Sequence, residues 1–374
     1  METKIYRTIN DVDECAWDEV AGKDRPLCSY KYVKLLEMSG VSKDRCYYVT
    51  VYEGGRMVAH ACAYFIREEL DAFARGPLKE MIGRARRKWK DFFILKSLEC
   101  GPTMAPGKVL AFAEGVDRTK AMAKIREGME SLAKELGAKL ILFRDFYDGE
   151  SDLYGPLKDS GYKNIHNLPQ AWMDVKWGGF NDYLGAMRRS YRCKITKSMD
   201  KCTASGISIG VLKGLSVQDV RELKRLYDNV YDNAKEVKRE RLPAEFFENI
   251  EKYLGDDAVI LAAIKNGRLV GYMFILLGAN TLLTMFPGLD YEYNRDMFVY
   301  FNLFYRSIGL AIEKGIKGID MGITTLNPKR DMGSDIRRLN MYMKHSNPLL
   351  NRILPVLFDL ITPPDTTQPR DVFK

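Results

Sequence analysis

Two β-rich, largely apolar runs on either side of a polar glycine turn predict a β-hairpin early in the chain. A run rich in tyrosine, valine and threonine covers 47–52, a second apolar run covers 57–64, and two adjacent glycines lie in the turn between them. Two β-rich runs joined through Gly-Gly favour an antiparallel hairpin. A further β-like run at 92–98 predicts a third strand.

Helical spacing follows the hairpin. Apolar residues recur every three to four positions over 118–136, and Gly137 comes next, which predicts an amphipathic helix with a glycine stop. The run 139–143, Lys-Leu-Ile-Leu-Phe, then predicts a buried strand, placed as in an α/β crossover.

The same order of elements recurs later in the chain. The pattern predicts a hairpin over 258–277, a strand over 281–286, a long helix over 297–314 and a strand over 318–321. A last strand is predicted at 339–344. A repeated order of hairpin, strand, helix and strand implies two similar mixed-sheet units.

A single basic helix over 180–201 is expected to connect these units, because its apolar residues have helical spacing and its other face carries arginines and lysines. The resulting division has four parts. They are an N-terminal domain over 1–176, a connector over 177–205, a C-terminal domain over 206–350, and a helix and tail over 351–374.

Composition and charge narrow the class of protein. Apolar residues make up 46% of the 374 residues and charged residues 29%, which is typical of a soluble globular chain. No apolar run reaches the roughly 20 residues of a membrane span, and 1–10 lacks the apolar segment of a secretion signal. We therefore expect a cytoplasmic protein. The charge of 58 minus 50, or +8, suits an anionic ligand such as a nucleotide, coenzyme or RNA; nothing indicates DNA.

Metal and nucleophile motifs are missing from the sequence. The seven cysteines form no C-x-x-C pair, so neither a zinc site nor a redox motif is predicted. The three histidines lie in no Ser-His-Asp pattern. We therefore expect no bound metal and reduced, mostly buried thiols.

Three stretches carry a resemblance to a known family. They are the connector over 180–195, the hairpin over 259–277 with Gly271-Tyr272 in its second strand, and the segment 301–322, followed by Lys329 and Gly333. Their order resembles that of the tandem-GNAT acyltransferases, in particular the Fem family and the BioF2-like acetyltransferase group.

The resemblance implies an α/β (mixed α+β) fold of two tandem GNAT-like domains, each with a central mixed sheet flanked by helices. It also implies an acyltransferase that acts on an amine. The donor is expected to be acyl-CoA, with aminoacyl-tRNA, the donor of Fem enzymes, as the alternative.

The chain departs from the family pattern in two places. The pyrophosphate-binding loop of GNAT enzymes is replaced by Asp-Tyr-Glu-Tyr-Asn-Arg-Asp at 290–296, where Asn294 and Arg295 are the candidates for cofactor binding. The stretch 216–254 is too short for the helical coiled-coil insertion that engages tRNA in many Fem-type enzymes.

Acyl transfer to an amine needs alignment, a proton acceptor and a group that stabilises the oxyanion. Asp320 ends a short predicted strand, where open α/β sheets bind ligands, and is the first candidate base. Glu292 as a base and Tyr291 as an acid are further catalytic candidates. An ion pair, a helix cap or turn packing are the structural alternatives.

Candidate substrate contacts combine cationic and aromatic side chains. A cation can hold a phosphate or carboxylate, and arginine does so with two parallel hydrogen bonds. Solvated surface or core packing is the alternative for each. The candidates are Lys329, Arg330, Arg188, Arg192, Tyr293 and Tyr305.

Three functions remain open at this point. The first is an N-acyltransferase that moves an acyl group from a thioester, such as acyl-CoA, to a small amine in a cleft between the halves. The second is a Fem-type aminoacyl-tRNA-dependent transferase that forms a peptide or amide bond. The third is a binding protein with a degenerate GNAT site.

Overall fold

The computed structural model describes residues 1–41, 45–69, 94–101, 107–234, 241–361 and 369–374. A basic stretch of the sequence, 67–90, lies outside this part of the chain except for its first three residues.

The first half contains seven strands and four α-helices among the described residues. The strands are β1 (Glu2–Tyr6), β2 (Cys46–Glu53), β3 (Arg56–Glu69), β4 (Ile94–Cys100), β5 (Leu110–Phe112), β6 (Leu140–Phe146) and β7 (Lys163–Asp174). The helices are α1 (Glu14–Ala21), α2 (Tyr30–Met38), α3 (Arg118–Leu136) and α4 (Ser151–Asp159).

Two helices, α5 (Phe180–Ala186) and α6 (Arg189–Ala204), lead into the second half. Its strands are β8 (Ile207–Leu212), β9 (Ala258–Lys265), β10 (Arg268–Leu277), β11 (Thr281–Leu289), β12 (Gly318–Gly322) and β13 (Asp335–His345). Its helices are α7 (Val217–Asn233), α8 (Ala244–Leu254), α9 (Tyr291–Met297), α10 (Val299–Glu313), α11 (Leu326–Asp331) and α12 (Pro348–Ile361).

All these strands join one mixed sheet. Its order is β1-β2-β3-β4-β6-β13-β7-β12-β11-β10-β9-β8, and β5 pairs with β3. Each half begins at one edge of the sheet with four strands that follow one another in chain order, β1 to β4 at one edge and β8 to β11 at the other. A fifth strand then pairs in parallel with the fourth, as β6 does with β4 and β12 does with β11. A helix, α3 or α10, connects each parallel pair, as parallel strands require.

The centre of the sheet joins the two halves. Strand β13, from the end of the chain, lies between β6 and β7 and is antiparallel to both, while β7 is antiparallel to β12. The four-part division made from the sequence remains a proposal; β13 of the predicted C-terminal domain pairs with β6 and β7 of the predicted N-terminal domain.

Three large hydrophobic clusters hold the fold together. One fills the first half around Trp17 and Phe143, and two lie in the second half. One of the latter joins α2 to α7 and α8 through Leu35, Phe246 and Phe247, which are all fully buried. Since burial of such a side chain contributes about 1.5–3 kcal/mol, this cluster is a substantial contact between the halves.

The predicted connector helix over 180–201 is wrong as a single helix. It breaks between α5 and α6, where Met187 and Arg188 have extended backbones. The C-terminal tail accounts for the break: Met187 forms a β-bridge with Phe373, and the Arg188 N–H donates to the Val372 carbonyl at 2.8 Å.

The predicted long helix over 297–314 also begins differently. Phe298 has a left-handed backbone with φ of 55° and separates α9 from α10. The segment that replaces the expected pyrophosphate loop is therefore itself a short helix.

Candidate active site

In the second half the parallel strands β11 and β12 diverge beyond their last paired residues, and a cavity lies between them. Their pairing runs over Thr281–Gly318, Leu282–Ile319 and Leu283–Asp320, after which β11 continues to Leu289. The cavity has a volume of about 510 Å³, within the usual range for small-molecule sites.

Its lining is mostly apolar and aromatic. It comes from α7, β10, β11, the α9–α10 region and the segment after β12. The aromatic residues are Tyr227, Tyr231, Phe286, Tyr291, Tyr300 and Phe304. Every described residue that lines this cavity belongs to the second half, so the cavity lies within one half; the cleft between the halves expected from the sequence stays a prediction.

Asp320 is the buried carboxylate of this cavity. Its side chain accepts hydrogen bonds from the Gly322 N–H at 2.8 Å and from Gln170 Nε2 at 2.6 Å. Burial raises the pKa of Asp320 to about 6, although these two hydrogen bonds and the charge of Lys329 oppose the rise. The carboxylate is therefore mainly ionised at neutral pH and is able to accept a proton.

Gly322 makes this arrangement possible. Its φ of +81° is left-handed, a conformation that glycine adopts without a steric penalty. The turn brings its N–H back to the Asp320 carboxylate. A Cβ at this position would lie 3.7 Å from Lys329 Nζ, so Asp320, Gly322 and Lys329 are neighbours.

Lys329 supplies a buried cation. Only 3% of it is exposed, and its Nζ donates to the Thr324 carbonyl at 2.6 Å and lies 5.5 Å from the centre of the Phe304 ring. Thr325, which precedes α11, has a left-handed backbone with φ of 55°. Strained non-glycine backbones of this kind cluster at functional sites.

A chain of buried polar side chains links Asp320 to the first half. Gln170 on β7 is 2% exposed; its amide nitrogen donates to Asp320, and its amide oxygen accepts from the Tyr147 hydroxyl at 2.9 Å. Glu150 accepts from the Tyr147 N–H at 2.8 Å and forms an ion pair with Lys108. The first half thus fixes the orientation of a carboxylate in the second.

The N-terminus of α10 is partly occupied. Asn294 accepts from the Tyr300 N–H at 2.8 Å through its side chain and from the Phe298 N–H at 3.1 Å through its carbonyl. Free N–H groups at a helix start would favour a pyrophosphate. Because Asn294 of α9 already accepts from the Tyr300 N–H, this helix start offers one donor fewer to the pyrophosphate of a coenzyme.

Comparison with known proteins gives the family. The FemAB-like family, described as peptidoglycan biosynthesis/recognition, matches residues 8–326, well over half of the chain. The chain belongs to the FemAB-like family. A curated Mycobacterium tuberculosis protein that carries the name 8-amino-7-oxononanoate synthase 2 is 23% identical over 326 residues, which are 85% of this chain and 42% of that protein. The FemAB-like chain thus spans less than half the length of this relative.

Solved structures support the same fold. FemX has a TM-score of 0.60 at 13% identity and covers 94% of this chain and 100% of its own. A tandem GNAT protein from the clavulanic acid biosynthesis pathway has a TM-score of 0.51 at 10% identity, over 93% of this chain and 99% of its own. The chain therefore has the fold of FemX and of this tandem GNAT protein.

The predicted catalytic residues lie in different places in the FemAB-like structure. Asp320 and Tyr291 line the cavity, and 42% of Tyr291 is exposed. Glu292 is exposed and is not among the lining residues; its backbone N–H, not its carboxylate, bonds to Asp290. The geometry therefore brings Asp320 and Tyr291 together and leaves Glu292 outside.

The predicted binding residues also fall in different places. Lys329 and Asn294 line the cavity, whereas Arg295 is exposed outside it. Tyr293 packs at the edge of the core with Lys265 Nζ 5.4 Å from its ring centre. Tyr305 is 5% exposed within the core, where burial raises its pKa to about 12. Its position is that of a core residue.

The predicted arginines lie away from the lining. Arg330 is half-buried on α11, directly after Lys329. Arg188 forms an ion pair with Asp371 of the C-terminal tail. Arg192 donates to the Met187 carbonyl at 3.5 Å. Both connector arginines thus contact the junction of α5, α6 and the tail.

Sequence reasoning missed Gln170 and most of the aromatic wall. Gln170 lies in a strand 150 positions before its partner Asp320, and no local pattern marks a glutamine as the ligand of a distant carboxylate. Tyr300 has helical spacing with the core, and only the break at Phe298 turns it toward the cavity.

The described residues contain neither a candidate metal-binding cluster nor a helix able to span a membrane. In the part of the chain that the structure describes, no group of three or more His, Cys, Asp or Glu side chains could hold a metal ion. Within the same residues, no helix has the length and apolar character needed to cross a bilayer.

Proposed function

We propose that this FemAB-like protein transfers an aminoacyl group from an aminoacyl-tRNA to an amine and forms an amide bond in the cavity between β11 and β12. The observation that carries the proposal is the buried pair of Asp320 and Lys329 on a mostly apolar and aromatic wall. Such a pair supplies the proton acceptor and the cation that this reaction needs.

Each group has a defined task in the reaction. The amine of the acceptor attacks the ester carbonyl carbon, and the Asp320 carboxylate takes the proton that the nitrogen loses. The Lys329 ammonium stabilises the oxyanion of the tetrahedral intermediate. The ester C–O bond then breaks, the proton passes to the departing ribose oxygen, and the new amide remains.

Gln170 is a positioning residue in this scheme. Its amide holds one oxygen of Asp320, and the Gly322 N–H holds the other. Tyr147 in turn fixes the orientation of the amide, because its hydroxyl donates to the Gln170 oxygen. The carboxylate is thus held in one rotamer before the substrates arrive, which lowers the entropy lost on reaching the transition state.

The choice of donor rests on the start of α10. Asn294 engages the Tyr300 N–H there, which leaves fewer free donors for the pyrophosphate of coenzyme A. The family description supports an acceptor amine from the chemistry of peptidoglycan.

A basic surface beside the cavity is consistent with a tRNA donor. Helix α6 carries exposed Arg189, Lys197 and Lys201, and Lys201 Nζ lies 5.2 Å from the centre of the Phe298 ring at the start of α10. Cationic side chains in such an arrangement favour the phosphates of an RNA strand.

Transfer of label distinguishes the donors. The full chain is incubated with tRNA charged with a mixture of ¹⁴C-amino acids, or with ¹⁴C-acetyl-CoA, and a panel of amines that includes Nα-acetyl-lysine amide and short peptides. We expect label from the tRNA alone to enter an alkali-stable amide, and ribonuclease to abolish the signal. Transfer from acetyl-CoA that survives ribonuclease would instead support the thioester donor expected from the sequence.

A further inference from the structure

The cavity walls carry information about the group that is transferred. Tyr227 on α7 meets Phe286 on β11 edge to face, with ring centres 6.1 Å apart, and Tyr300 meets Phe304 on α10 edge to face at 5.0 Å. Phe304 also contacts Lys329, the proposed oxyanion partner. Aromatic surface therefore begins next to the position of the reacting carbonyl.

Charge is scarce on these walls. Among the described residues that line the cavity, only Asp320 and Lys329 carry a charge. Asp320 already accepts from Gln170 and Gly322 and is the base of the proposed reaction. A lysyl or arginyl side chain entering this space would lose its hydration without gaining a carboxylate of its own, which is costly.

Size argues against a small group. The space of about 510 Å³ has walls that include Val230, Met285, Leu289 and Ile323 besides the aromatic rings. An alanyl or glycyl group would leave most of this apolar surface uncovered, whereas each additional buried methylene or aromatic ring strengthens binding.

We infer that the cavity selects an aminoacyl group with an aromatic or large aliphatic side chain over small or cationic ones. The inference rests on the proposed function, since it names the class of donor used at the same site. The geometry of the wall carries it: two aromatic pairs and several aliphatic side chains surround a space in which Asp320 is the one carboxylate among the described lining residues.

Stable donor analogues test the selection without an acceptor. In 3′-aminoacylamido-3′-deoxyadenosines an amide replaces the reactive ester, and the phenylalanyl, leucyl, alanyl and lysyl compounds are titrated against the full chain by calorimetry. We expect the first two to bind at least tenfold more tightly than the last two. Tighter binding of the alanyl or lysyl compound would overturn the selection while leaving the donor proposal intact, whereas failure of all four would overturn the donor proposal itself.

A carboxylate introduced into the wall of the cavity provides a second test of the selection. Val230→Glu places a carboxylate on the cavity-lining side of α7, and Val217→Glu is the control at an exposed position of the same helix. We expect Val230→Glu to improve binding of the lysyl compound relative to the phenylalanyl one at least tenfold, and the control to leave the ratio unchanged. An unchanged ratio in folded Val230→Glu would contradict the placement of the side chain; if that variant does not fold, the wild-type series alone decides.

Discussion

The two halves of the molecule share a strand order but differ where their parallel strands part. In the second half the pairing of β11 with β12 ends at Leu283 and Asp320, and the cavity opens there. In the first half the pairing of β4 with β6 runs on to Cys100 and Phe143, and charged side chains follow directly.

These charged side chains are engaged with their neighbours. Arg144 lies 3.5 Å from the Glu99 carboxylate, and Asp145, 1% exposed, accepts from the Gly107 N–H at 3.0 Å and from Asn167 at 2.6 Å. The comparison teaches that the two halves share a strand order, whereas the reaction site depends on the few residues that follow each parallel pair. The first half contributes instead through Gln170, which reaches Asp320 from β7.

Substitution of one buried aspartate in each half is expected to give the largest difference between the halves. Asp320→Asn removes the proposed base, so we expect transfer to fall about 10²–10⁴-fold in a single-turnover assay. Asp145→Asn in the first half removes one acceptor and should lower the free energy of unfolding by about 1–3 kcal/mol, with transfer nearly unchanged. Equal loss of transfer in both variants would contradict a site confined to the second half.

One lysine in each half gives the next test: Lys329 is buried and Lys108 is half-buried. Lys329→Met removes the oxyanion partner, and we expect kcat to fall about 10²–10³-fold, since that is the usual cost of one such donor. Lys108→Met breaks the ion pair with Glu150, so it should lower the melting temperature and change kcat far less. A larger kcat loss from Lys108→Met than from Lys329→Met would reverse the assignment.

The hydrogen bond from Gln170 to Asp320, which links the halves, should affect the pH dependence of the activity. The base must be ionised, so activity should fall as the pH drops through the Asp320 pKa of about 6. Gln170→Leu removes a hydrogen bond that favours the ionised form, which raises this pKa further and moves the acid limb to higher pH.

If the limb moves by about one pH unit, activity at pH 6 should fall about fivefold for Gln170→Leu, because the ionised fraction drops from about one half to about one tenth, and activity at pH 8 should change little. Gln170→Glu is the matched variant of similar shape, and its second carboxylate should also move the limb upward. An acid limb that stays in place in both variants would show that Gln170 does not act through Asp320.

Two glycines with similar backbones provide the finest comparison. Gly322 has φ of +81° beside Asp320, and Gly137 has φ of +69° after α3 in the first half, with open space around its Cβ position. Substitution by alanine at either should cost about 1–2 kcal/mol of unfolding free energy because of the left-handed backbone. Only Gly322→Ala should also lower kcat, by a few-fold; equal kcat values for both would argue against a role of the Gly322 turn.

Local patterns were sufficient for much of the fold. The hairpin at 47–64, the helix ended by Gly137 and the strand after it follow from β-rich runs around a glycine turn, helical spacing and a glycine stop, and the structure confirms them as β2–β3, α3 and β6. The last strand, predicted at 339–344, is the longer β13. These elements are set by residues within a few positions of one another.

Long-range contacts account for what the sequence did not reveal. The insertion of β13 between β6 and β7 depends on residues almost 200 positions apart. The break at Met187 depends on Phe373, and the orientation of Asp320 depends on Gln170. The position of Asp320 at the end of β12 could be predicted from the strand pattern, whereas the hydrogen bond from the start of α10 to Asn294 could not, because it depends on a left-handed backbone at Phe298.

The position of a bound donor analogue tests the central claim most directly. A crystal structure of the full chain with phenylalanylamido-3′-deoxyadenosine should show the carbonyl oxygen within hydrogen-bond distance of Lys329 Nζ, with the side chain against Phe304 and Tyr300. Density for the analogue outside the cavity between β11 and β12, or a carbonyl remote from both Asp320 and Lys329, would contradict the account.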